Sequence, residues 1–381
     1  MSTHANRVKM TVTSVASAGT GDITLNAAST GFRSFATAYG ANATVDILIT
    51  EGSDWEIARN CTYTHSGTTL TRGTWEDSSN GTGAITLAGS AVVSVIATAN
   101  LGNRQEAALQ AVTPGGRLTT ESGVPISTSD RTAQSTLYYT PYVHNIINLW
   151  DGSQWKPMTF AEHTVTGGTL SGLTSGKPYD VFAYLDSGAL ATELLVWTND
   201  TTRATAVTLQ DGRYCKSGDK TRLLLGTIYT TGTTTTEDSL TKRYVSNAYN
   251  RTKRRCYENS AVTHTYTTAA WREWRGGTGV IRCNWVSTLM LDSVLANMAI
   301  NLYRASGGVA GYVNIGLDAT DGSANLSVAN YECVLGAAGA YGGATVGSVA
   351  PVVGKHYLTP VQYGLSGVDF NSAALTVDIA C

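Results

Sequence analysis

Pairs of a small polar residue and a glycine cut this chain into short runs, and that punctuation most limits what it can fold into. Asp151-Gly152, Ser187-Gly188, Asp211-Gly212, Ser217-Gly218 and Ser66-Gly67 each separate two stretches rich in Val, Ile, Leu, Thr or aromatic residues. Such pairs accept the positive φ of tight hairpin turns. The runs between them alternate: in ATVDILI at 43–49, Val45, Ile47 and Ile49 fall on one face, a strand period. His144 to Trp155 (HNIINLWDGSQW) reads as a hairpin turning at Asp151-Gly152. A two-residue loop there puts Trp150 opposite Ser153, with Trp150 and Trp155 as diagonal neighbours on one face. YDVFAYL at 179–185 and TELLVW at 192–197 pair around residues 186–188. Residues 239–249 fit helix and strand equally. Glycine, 40 of 381 residues, exceeds the roughly 7% of average proteins, as a turn-rich β chain requires.

The expected fold is mainly β: tandem small sandwich or barrel domains, a jelly-roll-like C-terminal domain, and one short helix in a linker. Residues 1–100 form the first β domain. Residues 101–135 hold a short helix, with Asn103 as cap and Glu106 reaching back, then an extended linker rich in Thr, Ser, Gly and Pro. Residues 136–255 form a middle β domain and residues 256–381 a C-terminal sandwich. In the last, alternation at 280–286 and 294–302 marks strands, GAAGAYGG at 336–343 a glycine-rich loop, and LTVDI at 375–379 a closing strand.

Charge is sparse. Only 14% of residues are Asp, Glu, Lys or Arg, against about 25% in ordinary soluble domains. A net charge of −2 gives no attraction for nucleic acid, and no apolar run reaches the roughly 18 residues that span a bilayer. The first residues lack the apolar core of a secretory signal, so synthesis in a cytoplasm is expected. Cys61, Cys215, Cys256, Cys283, Cys333 and Cys381 show no metal-like spacing and read as free, mostly buried thiols.

Catalytic signatures are missing, so no catalytic or metal residue, no cofactor and no enzyme activity is expected. The histidines (4, 65, 144, 163, 264 and 356) stand alone, and neither H-E-x-x-H nor G-x-S-x-G occurs. A lone His356 is more often a packed, satisfied residue than a ligand. Glycan cleavage needs two carboxyl groups across a groove. Asp180, Asp186 and Glu193 would have to meet in space, whereas such residues are ordinarily solvated on strands and turns.

Two features suit binding. Trp271, Arg272 and Trp274, with Tyr312 further along, offer flat apolar faces to sugar rings, although aromatics more often fill cores and interfaces. NRTKRR at 250–255 is basic and suits phosphate or an acidic polysaccharide, although charge runs more often pair with neighbouring segments.

Several stretches resemble virion proteins of tailed bacteriophages. FATAY at 35–39, DWEI at 54–57 and LTRGTWEDSSNG at 70–81 are similar to a small N-terminal β domain of that group. GTIYTTG at 226–232, EDS at 237–239 and RYVSNAYNR at 243–251 resemble a segment preceding the head domain of fibre-like proteins, and GKHYL at 354–358 fits the same group. The resemblance implies a homotrimeric fibre or spike subunit of the virion, made in the host cytoplasm. Its N-terminal domain would dock on other virion proteins of tail, baseplate or capsid. Its C-terminal domain would meet a host-surface glycan through Trp271, Arg272, Trp274 and Tyr312. No nucleic-acid partner and no membrane insertion are implied. A purely structural capsid decoration or head-fibre protein is the alternative, and a surface-glycan hydrolase or esterase the second.

Overall fold

The computed structural model describes residues 5, 7–15, 22–81, 83–96, 113–277, 279–304, 310–321, 331–334, 338–364 and 368–381. The chain is mainly β, as its alternating runs require, and divides into two units, Met1–Leu109 and Gln110–Cys381.

In the first unit, antiparallel pairing runs in a ring through Ala43–Glu51, Val92–Val95, Lys9–Val15, Ile23–Ala28, Thr69–Thr71 and Asp54–Thr64. The last strand pairs back onto Ala43–Glu51 and closes a barrel, while Thr74–Ser78 pairs with Glu56–Arg59 of that same last strand, further along the edge that holds Thr69–Thr71. Closure removes the open edges that invite aggregation. The inward positions Val45, Ile47, Ile49, Tyr63, Leu70 and Val93 are buried together. A single turn of helix, Phe35–Tyr39, is capped by the Ser34 hydroxyl, which accepts from the Thr37 N–H at 3.0 Å, and ends at Gly40 with φ +66°. It plugs Phe35 into the core beside Tyr63, with ring centroids 5.2 Å apart. The helix expected near residue 103 lies outside the described residues.

The second unit begins earlier than its hydrophobic pattern suggests. Residues 113–135, expected as a linker, contain the strands Gly116–Thr119 and Arg131–Gln134. The first pairs with Tyr138–Pro141 and the second with Thr236–Asp238. A five-strand path follows, in the order Ala189–Val196, Pro178–Asp186, Asp219–Tyr229, Arg213–Lys216 and Val207–Gln210. Val245–Asn247 joins the central strand, so the undecided stretch 239–249 holds two short strands, Lys242–Arg243 and Val245–Asn247, and no helix. Leu118, Tyr139, Leu149, Trp155, Val181, Leu223 and Leu225 make the core here.

Two larger sheets follow. One runs Tyr331–Val334, Ala310–Leu317, Gly354–Tyr363, Cys283–Ser287, Lys242–Arg243, Thr236–Asp238 and Arg131–Gln134, with Trp271–Glu273 also on Gly354–Tyr363. The other runs Lys253–Ser260, Val368–Ala380, Val294–Arg304 and Gly339–Val349, with His264–Thr265 on Val368–Ala380. Their inner faces share one core, including Trp285, Val313, Ile315 and Leu358 from the first and Met298, Leu302, Phe370, Leu375 and Val377 from the second. The expected C-terminal sandwich is therefore present, but the proposed boundary at 255/256 runs through the strand Lys253–Ser260. Lys242–Arg243, from the middle segment, pairs in parallel with Cys283–Ser287. Periodicity reveals a strand without naming its partner, and here partners cross the supposed boundary. Part of the expected glycine-rich loop at 336–343 is likewise strand: Gly342 and Gly343 pair with Asn301 and Ile300.

Candidate functional site: an aromatic row on the sandwich

Trp271, Tyr363 and Tyr312 lie in register on three adjacent strands. Trp271 pairs with Tyr363, and Tyr363 pairs on its other side with Tyr312. Directly paired residues point to the same face of a sheet, so the three rings form one row. Centroids are 5.6 Å apart between Trp271 and Tyr363 and 5.7 Å between Tyr312 and Tyr363, both in edge-to-face arrangement. All three are half-buried, while Val313, next to Tyr312, points the other way into the sandwich core. The row is therefore on the outer face.

The next rung stiffens it. Glu273 is buried and accepts two hydrogen bonds from Arg282, Nε at 2.7 Å and an Nη at 3.1 Å, besides bonds from the Gly279 N–H and the Thr359 hydroxyl. The Arg282 guanidinium also covers the Tyr357 ring, 4.2 Å from its centroid. A bidentate, nearly saturated pair of this kind fixes the strand Trp271–Glu273 rather than offering a free carboxylate.

Of the four residues singled out in the sequence, two share this row and two do not. Trp274 is fully buried, edge-on to His264 and Phe370, and holds the core instead of facing a ligand. Arg272 projects from the opposite side of its strand. Its guanidinium stacks over Tyr266 at 3.6 Å, and both Nε and an Nη donate to the Gln362 amide oxygen at 2.9 Å. Strand parity explains the split, since 271 and 273 share one face and 272 the other. Tyr363, the middle of the row, escaped the sequence reading, although KHYLTPVQY at 355–363 alternates enough to have placed it beside Val361 and Tyr357.

The other candidates are engaged elsewhere. Asp180 is buried, bound by Arg203 at 2.7 and 3.1 Å and by the Thr227 hydroxyl at 2.7 Å. Burial pushes its carboxyl above the usual range against the pull of Arg203. Glu193 pairs with Lys216 and Arg222, both at 3.2 Å, and Asp186 closes a hairpin with Ala189. In the basic stretch, Arg251 pairs with Asp292 at 2.6 Å and Arg254 with Asp238 at 3.4 Å, leaving Lys253 and Arg255 exposed. His356 meets Asp318 at 2.6 Å and the Val353 carbonyl at 3.2 Å. Cys61, Cys215, Cys256, Cys283 and Cys381 are free and buried. Among the described residues no three His, Cys, Asp or Glu side chains cluster as metal ligands. No described helix is long and apolar enough to cross a membrane.

No protein-family model matches the chain, and no curated protein sequence matches it. Solved structures give distant likenesses. Latent PorU from Porphyromonas gingivalis is 9% identical with a TM-score of 0.24, over 55% of this chain and 24% of that one. A β-porphyranase of glycoside hydrolase family 86 from Bacteroides plebeius is 8% identical with a TM-score of 0.20, over 67% and 38%. The structure of infectious bursal disease virus Gx strain is 9% identical with a TM-score of 0.24, over 89% and 69%. The chain thus spans well under half the length of the first two, and likenesses this slight carry no argument about function.

Proposed function

We propose that this chain is a non-enzymatic structural subunit of a tailed-phage virion, a homotrimeric fibre or spike that touches host-surface glycan through its C-terminal sandwich. The observation that carries the adhesive part is the outward row Trp271–Tyr363–Tyr312. Rings held by sheet register lose little freedom on binding, and their faces suit the apolar face of a pyranose. Single contacts of this sort are weak, and three copies on one particle multiply them by raising the effective concentration. The resemblance of residues 35–81 and 226–251 to phage virion proteins supports the placement, and the barrel of the first unit supplies a docking module.

The test is binding of the purified full chain to a panel of bacterial surface polysaccharides, with Trp271→Ala and Tyr363→Ala beside the native protein. Loss of at least ten-fold in affinity, with unchanged circular dichroism, is expected. Binding that survives both substitutions would remove the row from the function. Release of reducing ends or acyl groups from the bound polysaccharide would replace the adhesive reading with the hydrolase one.

A further inference from the structure

The other sheet of the sandwich carries an outer face of unusual composition. Register defines its rungs across four strands. Ser348, Leu295, Asp378 and Arg255 form one; Val346, Asn297, Thr376 and Tyr257 the next. Ala344, Ala299, Ala374 and Asn259 form a third, and Gly342, Asn301 and Ser372 a fourth. The strand Val294–Arg304 alternates strictly along this stretch: Val294, Ala296, Met298, Ile300 and Leu302 are buried, and Leu295, Asn297, Ala299, Asn301 and Tyr303 are exposed.

A solvated sheet face ordinarily bears Lys, Glu, Arg and Thr. Here the second to fourth rungs hold no Asp, Glu, Lys or Arg, and charge is confined to the ends, at Lys253, Arg255 and Asp378 on one side and Asp369 on the other. Large apolar groups stand out beside small ones: Leu295 is 51% exposed, Val346 56% and Tyr303 41%. Alanine, glycine, serine and asparagine between them leave a flat ground with shallow recesses. One recess is lined by Asn259, Ala299, Asn301, Ser372 and Ala374.

We propose that this face is the contact between copies of the chain. The inference builds on the assembly reading above and names its surface. Depletion of charge with retained large apolar groups is the signature of the centre of a permanent interface. Like copies meet without repulsion because nothing charged lies at the centre, whereas a partner recognised by charge would find nothing to read there. Extent fits too. Eleven residues along Val294–Arg304 and four strands across give roughly 34 by 19 Å, on the order of the ~800 Å² per partner of a specific interface. The aromatic row lies on the other sheet, away from this contact.

The experiment is light-scattering mass of the full chain at micromolar concentration for the native protein, Ala299→Arg, Val346→Lys and a control, Leu209→Lys, which alters an exposed leucine of the middle sheet. An oligomeric native protein and control, with Ala299→Arg and Val346→Lys monomeric and unchanged in circular dichroism, is the expected result. An oligomer that survives both substitutions overturns this surface while leaving the assembly reading intact. A monomeric native protein overturns both. Val346→Lys replaces a group already in solvent, so it remains decisive should Ala299→Arg fail to fold.

Discussion

Asp180 shows what a buried charge costs and what holds it. It is 1% exposed, and the fork of Arg203, which also donates to the Thr288 carbonyl, supplies its ionic compensation beside the Thr227 hydroxyl bond. Asp180→Ala leaves that guanidinium beside a cavity, and breaking such a pair costs about 3 kcal/mol. The urea midpoint should fall accordingly, and an unmoved midpoint would show that Arg203 finds another partner. Asp151 acts through hydrogen bonds instead. N–H groups of Gln154 and Ser153, with the Ser153 hydroxyl, hold its carboxyl well below the ordinary 3.8. A depressed folded pKa contributes stability above 3.8 that is lost as pH falls through the folded value. Acidification below pH 3.8 should therefore loosen the Trp150–Trp155 hairpin, read by tryptophan fluorescence. Asp151→Asn, which keeps an acceptor but does not titrate, should flatten that dependence.

At the scale of elements, turn chemistry was readable where both turn residues take positive φ. Ser187 and Gly188, at +51° and +84°, join strands in register from Tyr179↔Val196 to Asp186↔Ala189. Asp211 and Gly212, at +49° and +77°, do the same between Gln210 and Arg213. The hairpin at 151 was mispredicted in detail. Trp150 pairs directly with Trp155 across a four-residue loop, rings 5.5 Å apart and edge-to-face, rather than sitting opposite Ser153. Asp151 there stays at negative φ because its side chain collects the loop N–H groups, an alternative to the tight turn that the dipeptide alone does not exclude. Tertiary demands also select residues inside strands. A Cβ on Gly226 would lie 2.1 Å from the Ser246 carbonyl oxygen, where Asp219–Tyr229 meets Val245–Asn247. Gly226→Ala should lower stability by about 2 kcal/mol, as overpacking does, and a melting temperature equal to the native one would contradict that contact.

For the whole molecule, separate cores imply separate cooperativity. Among the described residues, the barrel's core draws on residues up to 95, whereas the cores of the second unit draw on residues 118–381. Calorimetry of the full chain should show two transitions, and a fragment of residues 110–381 should keep the second. Fragments cut at 255/256 should fold poorly, because the cut splits Lys253–Ser260 and separates Lys242–Arg243 from its parallel partner. Native-like near-ultraviolet dichroism from the 256–381 fragment alone would show that the shared sheet is dispensable.

Local chemistry alone determined that this chain is β-rich, where several of its hairpins turn and which residues alternate, because strand period and turn φ are properties of neighbours in sequence. The residue types of the candidate site were visible in the same way, and Trp271 and Tyr312 were marked as aromatic. Only tertiary structure decided that Tyr363 joins them into a row, that Trp274 is core and Arg272 faces away, and that the middle and last segments share sheets. Those outcomes depend on which strand lies beside which, a choice among distant partners set by packing and backbone hydrogen bonding over the whole unit.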